Sequence, residues 1–410
     1  MTPFEPVAVA EAELAGDAGI VCAARPDGAP YATAHVLIRR HGIPVGFADV
    51  ALDEGRAGAR AVQAAARAQL GAQAVAADRR AELAPGPYGD PAAPATVVIC
   101  TKDPGPLLAR TLESVLAQDH APVEVVVVDN ASRTDAARRM AAATGDPRVR
   151  LVAEPVAGLC RARNRGLAAA RTELVAFTDD DVRVDRGWLA ALVRGFTRAP
   201  RVGCVTGLVP SAELDTAAQA FFDARVRWSD GFTPRLFDLR EHRPDDPFFP
   251  YGAGLFGTGA NFAVARRALA EVGTFDEALG MGTPAQNGDD LDLFLRVVLG
   301  GWTLAYEPSS VAWHAHRREV DALRRQMRTY GVGLGAYAFK HALRPRIALD
   351  MGRRLPAALV HLARDARAAQ GTSTEVPGMA ATELRGLVHG PAGYLRSRRL
   401  VRGRPAVSAT

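Results

Sequence analysis

From Ala95 onward, short apolar runs rich in β-branched residues alternate with stretches whose apolar positions recur every three or four residues. That alternation predicts a parallel sheet with crossover helices. The expected strands are ATVVIC (95–100), VEVVVVD (123–129), RVRLV (148–152) and LVAFT (174–178). The valine run of the second is long enough to be buried on both faces. One helix is expected over about 107–118, with Leu108, Leu112, Val115 and Leu116 on one face, and another over GLCRARNRGLAAAR (158–171). Ser132 is placed to cap a helix that starts after it. Further on, 202–209 reads as a strand, 221–228 as part of a helix, and 229–251 as a long Pro- and Asp-rich loop.

The aperiodic stretch PGPYGDPAAPA (85–95) reads as a linker, which sets apart a first module of residues 1–84. In that module, two apolar runs flank a His-Gly-Ile-Pro turn, and an alanine-rich segment follows over 58–83, so a small α+β unit is expected. The remaining divisions are a catalytic body over 96–318 and a helical, basic extension over 319–410.

At 410 residues, 48% apolar and 23% charged, the composition is that of a globular protein. The longest uncharged stretch, FFPYGAGLFGTGANFAVA, is broken by glycines and an asparagine, which argues against a membrane span. The first residues are acidic where a signal peptide would be basic, so the expected location is the cytoplasm. Four widely spaced cysteines indicate neither a disulfide framework nor a thiolate zinc site. Residues 311–410 carry 18 basic against 6 acidic residues, while the rest of the chain has a slight acidic excess. The basic quarter invites an anionic partner, of which a membrane surface is one. Nucleic acid is not expected, because Tyr394 is the only aromatic among the arginines near the end.

In open α/β sheets, ligands bind at the carboxyl ends of strands, where three polar groups fall: Thr101-Lys102-Asp103, Asp129-Asn130 and Asp179-Asp180-Asp181. Asp179 and Asp181 lie two apart, so in extended geometry they point to one side and can share a divalent cation such as Mg²⁺ or Mn²⁺. In GDDLDLFLR, Asp289 and Asp290 open an amphipathic helix. VAWHAHRRE supplies His314 and His316, with Arg317 beside them.

Taken in order, VVICTKD, VEVVVVDNAS, GLCRARNRGLAAA, FTDDDV, GTGANFAVARRAL, GTFDEALGMG, GDDLDLFLR and VAWHAHR resemble the family 2 glycosyltransferases over about residues 95–340. These are inverting enzymes of the GT-A fold, which use nucleotide sugars. The resemblance implies a mixed, mainly parallel sheet flanked by helices. It implies that Thr101, Lys102, Asp103, Asp129 and Asp180 bind the nucleotide, with Asp129 accepting from the base. It places Arg161 and Asn164 beside the diphosphate. Asp179 and Asp181 correspond to the family's metal-binding pair, completed by His316 in preference to His314. Gly259, Asn261 and Trp313 would lie on the sugar and acceptor side. Asp290 corresponds to the general base, and its neighbour Asp289 stands where the family usually has Glu.

The expected function is transfer of one sugar from a nucleotide sugar to an acceptor hydroxyl on a small molecule, glycan or lipid-linked carrier. UDP or dTDP is favoured, since a carboxylate at Asp129 suits the imide N–H of uracil or thymine. The contrasting expectation is a catalytically inactive scaffold or carbohydrate binder. No Walker loop is present, CTKDPGPLL is not the glycine-rich loop of a nucleotidyltransferase, and Val182 replaces the Ser or Thr of a DxDx phosphatase. QMRTYG (326–331) is similar to a signature of processive synthases but lacks its Trp, which speaks against long-chain polymerisation.

Overall fold

The computed structural model describes residues 4–120, 124–226, 228, 231–354, 356 and 378–404. Its first five strands are β1 (Ala8–Glu13), β2 (Ile20–Val21), β3 (Thr33–Arg40), β4 (Ile43–Ala51) and β5 (Arg56–Ala57), followed by helices α1 (Ala59–Leu70) and α2 (Ala72–Ala76). His41 and Gly42 both take positive φ, 53° and 77°, the backbone that lets a two-residue turn join twisted strands β3 and β4. β1 joins this hairpin in the order β1-β3-β4, and the inward set Val36, Ile38 and Val50 packs with Val62 and Ala66 of α1. Leu37, on the opposite face of β3, is also buried. It packs in one cluster with Leu208, Val311 and Trp313, which fastens this module to the rest of the chain.

The larger body contains β6 (Ala95–Thr101), α3 (Leu107–Leu116), β7 (Glu124–Asn130), α4 (Ala136–Ala143), β8 (Val149–Glu154) and α5 (Leu159–Ala169). It continues through β9 (Leu174–Asp179), β10 (Val182–Val184), α6 (Trp188–Gly195), β11 (Val202–Leu208), α7 (Ala217–Val226), β12 (Arg235–Phe237), β13 (Asn261–Ala265), α8 (Arg266–Val272), α9 (Asp289–Leu299) and β14 (Thr303–His314). These strands form one mixed sheet in the order β10-β14-β11-β13-β9-β6-β7-β8, with β12 paired to β14. β9-β6-β7-β8 run parallel, and Val97, Val98, Ile99 and Val125 to Val128 are buried. β13 enters antiparallel between β9 and β11.

Within GTGANFAVA, Asn261–Ala265 pairs on both edges as a central strand, and one local expectation changes. Ser132 caps no helix; α4 begins at Ala136, and the Ser132 hydroxyl accepts the backbone N–H of Asp103 at 2.8 Å. The 85–95 stretch is fastened to the end of α6, where the Gly86 and Tyr88 N–H groups donate to Thr197.

The C-terminal part holds α10 (Val320–Ala342) and α11 (Met379–Val401). Gly331 and Gly335 of α10 face Gly386 and Gly390 of α11, and a Cβ on any of them would collide with the opposing backbone. The apolar segment 330–342 is thus largely consumed by helix packing. RLPAALVHLARDAR (354–367), apolar with basic flanks in the sequence, lies outside the described residues apart from Arg354 and Pro356. α10 is also anchored to α9 by fully buried Asp292, which pairs with Lys340 at 2.6 Å, His341 at 2.9 Å and Arg296 at 2.9 Å. Burial alone would raise the Asp292 carboxyl, but these partners outweigh it and hold the group ionised.

Helix α5 lies unusually close to the sheet, since a Cβ at Gly166 would overlap a methyl of Val98 and touch Val128. A branched methyl cannot swing aside, so the helix must lift. Gly166→Ala is expected to cost about 1–3 kcal/mol, read as a melting temperature several degrees lower with the far-UV spectrum unchanged.

Candidate active site

The carboxyl ends of β6 and β9 and the start of α9 converge on a cleft of about 1,020 Å³, whose far wall is built from α7 and α10. Strand pairing decides which histidine enters it. β10 runs antiparallel to β14 with Val182 opposite His314, which carries His314 to the aspartate cluster. His314 Nε2 lies 3.5 Å from Asp181 and 3.9 Å from Asp179. One ligand atom from each of Asp179, Asp181 and His314 fits within 4.8 Å of the others. His316, the histidine preferred from the sequence, lies past the end of the strand, buried against Phe222 and Trp228. Burial lowers its imidazole to about 2, so it is neutral and plays a packing part.

Two carboxylates and one imidazole, open to the cleft, fit a divalent cation that keeps positions free for water or diphosphate oxygens. Asp180, between the two, turns to accept the Thr101 hydroxyl. Burial raises its carboxyl, and the charge of Asp181 adds to the rise while Thr101 opposes it. Burial likewise raises Asp179, with Arg163 pulling it down and Asp181 pushing it up.

Arg163, absent from the sequence-based set, organises the floor of the cleft. It is only 5% exposed in its side chain, pairs with Asp289, donates to the Gly259 carbonyl at 3.0 Å and lies 3.7 Å from Asp179. Its guanidinium sits 5.5 Å from the centres of the Phe262 and Phe275 rings. Burial opposes its charge, but Asp289 and Asp179 outweigh that and keep it protonated. Asp289, expected beside the base, is therefore buried and committed to Arg163. Asp290 is half-buried and lines the cleft. Its Oδ2 accepts the Gly259 N–H at 2.8 Å and its Oδ1 the Leu291 N–H at 2.8 Å.

Several residues expected at the ligand have internal partners. Arg161 is buried between Glu154 at 2.8 Å and Glu277 at 3.1 Å. Asn164 exchanges two hydrogen bonds with the Phe275 backbone. Asn261 is fully buried and bonds Trp188, Ser310 and the Leu208 carbonyl. Trp313 donates to Asp185 and packs edge-on against Phe47, on the module interface away from the cleft. Asp103 holds Arg133, and Asp129 accepts the Ser132 N–H, both at strand ends just outside the cleft lining. Thr101 and Lys102 do line it. Arg317, Arg325, Gln326 and Tyr330 join from the C-terminal side, so the extension contributes part of the cleft wall.

Arg163→Met would leave Asp289 buried without a counter-charge. The expected loss is about 3–5 kcal/mol by denaturant unfolding, partly recovered in the Arg163→Met/Asp289→Asn double variant.

Comparison with known proteins places this site in context. The profile for "Glycosyl transferase family 2" matches residues 96–273. A pre-mycofactocin glycosyltransferase of Mycobacterium tuberculosis is 30% identical over 184 residues, 45% of this chain and 36% of that protein. The succinoglycan biosynthesis protein ExoO of Rhizobium meliloti is 32% identical over 218 residues, 52% of this chain and 58% of that protein. The chain thus spans only part of the length of these relatives. Among solved structures, a mannosyltransferase from Pyrobaculum calidifontis in complex with GDP-Man and Mn²⁺ is 22% identical with a TM-score of 0.47, covering 78% of this chain and 90% of that one. The matched residues 96–273 carry the Asp179–Asp181 pair.

Proposed function

We propose that the protein is a metal-dependent, inverting glycosyltransferase that moves one sugar from a nucleoside-diphosphate donor to an acceptor hydroxyl. The observation that carries this reading is the cleft in which Asp179, Asp181 and His314 share an edge with Asp290 and Arg163. Sugar transfer needs its diphosphate leaving group neutralised and the acceptor hydroxyl relieved of a proton as it attacks. A bound cation supplies charge for the first task. Lys102 and Arg317, also on the cleft lining, add positive charge where the leaving group would sit.

Asp290 takes the second task. Its two backbone hydrogen bonds fix the carboxylate, and it remains open to the cleft for an acceptor hydroxyl. A double displacement with retention needs a second free carboxylate as nucleophile. The adjacent candidate, Asp289, is buried and bound to Arg163, which favours single displacement with inversion. Thr101, Lys102, Asp103 and Asp129 mark the nucleotide end, and Asp129 favours UDP or dTDP through the imide N–H of the base. The acceptor would approach from the side of α7 and α10.

Melting curves with UDP, dTDP and GDP, each with and without Mn²⁺, test the donor half. At a hundred times its Kd, the right nucleotide should stabilise the protein by about 2.7 kcal/mol, only with metal, and Asp181→Ala or His314→Ala should abolish the shift. No shift with any nucleotide and metal would overturn the donor site and favour an inactive carbohydrate-binding scaffold. Asp290→Asn should keep the nucleotide shift and slow transfer by about 10²–10⁴-fold, measured as release of nucleoside diphosphate; unchanged release would remove Asp290 as the base.

A further inference from the structure

Helix α11 has two unlike faces. Its inner face, with Gly386, Gly390 and Gly393, is buried against α10 and the Pro284–Ala285 turn. Its outer face leaves Leu384, Val388 and Leu395 exposed by 62%, 72% and 43%. At 100° per residue these three fall within about 40° of one another, a single apolar file along the helix. Arg385, Arg396 and Arg399 are exposed on the same side of the helix. From Leu384 to Arg402 the sequence contains no Asp or Glu. The preceding Glu383 is taken up by Arg225 at 2.8 Å.

Apolar side chains left in water beside a line of arginines need a partner that is both greasy and negative. A second copy of the chain does not meet that need. Two such faces brought together would set arginine against arginine with no carboxylate between them. No described helix is long and apolar enough to cross a bilayer, so the face can only lie along one. We propose that the outer face of α11 docks the protein on an anionic lipid surface, with Leu384, Val388 and Leu395 in the acyl boundary and Arg385, Arg396 and Arg399 at the phosphate level. Arginine stems are long enough to reach headgroups while their methylenes stay in the apolar layer. Glu383, at the start of this helix, lines the catalytic cleft. The docked helix thus borders the cleft.

Co-sedimentation of the full chain with phosphatidylcholine vesicles, with and without phosphatidylglycerol, tests this without donor or acceptor, so its failure leaves the sugar-transfer reading untouched. The wild type is expected in the pellet with anionic vesicles and in the supernatant with neutral ones. Arg385→Gln/Arg396→Gln/Arg399→Gln should weaken partitioning by about a hundredfold, and Leu384→Ser/Val388→Ser should lose it. Because all five side chains are exposed, both variants should keep the wild-type melting temperature. Wild-type protein that stays in solution with anionic vesicles, or variants that pellet as the wild type does, would overturn the proposal. So would retention on soluble polyglutamate without vesicle binding, which would point to an acidic protein partner.

Discussion

The arrangement around the cleft depends on one buried cation. Arg163 reaches from α5, which packs on β6, β7 and β8, and it joins Asp289 at the start of α9 to the Gly259 carbonyl and the vicinity of Asp179. A guanidinium with several rigid donors can bind three separate elements at fixed angles, which the point charge of a lysine could not do. Without it, the buried carboxylate of Asp289 would be left without a counter-charge. With it, the donor side and the acceptor side of the cleft share a common reference point.

A second buried network extends that reference outward. Asp292, one turn along α9, holds Lys340 and His341 of α10, and Lys340 also reaches Asp276, which in turn accepts from Tyr394 of α11. The helix that carries Asp290 is thus fixed at its start by α5 and along its length by the C-terminal pair. The extension is a load carried by the site, as well as a wall of it. On the opposite side, Trp313 does the corresponding job for the first module through Asp185, which also pairs with Arg39.

The strands of the parallel half could be read from sequence because β-branched runs between polar turns have few other uses, as in 95–101 and 124–130. The acidic cluster was equally legible as three aspartates closing an apolar strand, although Asp181 lies in the turn after β9 and not on an extended segment. The side chains that resisted reading share a cause: their roles are settled by long-range pairing. In a helix, Arg161 and Arg163 lie about 200° apart, so only one can face the cleft, and nothing local says which. His314 and His316 have the same parity along a strand; the strand ends at His314, and only the pairing with Val182 reveals that. Asn261 and Trp313 look like ligand contacts because buried polar and aromatic groups resemble binding groups until their internal partners are known.

The position of β14 in the sheet has a consequence for the birth of the protein. The last of the described strands sits in the interior, between β10 and β11, and pairs in parallel with β11 made about a hundred residues earlier. A polypeptide emerging from the ribosome therefore cannot close its sheet until residue 314 is free. Contacts so distant in sequence are slow to form, and the open flank of β11 must wait unpaired. The same delay keeps the histidine away from the two aspartates, so the cation site can assemble only after the whole scaffold around it exists.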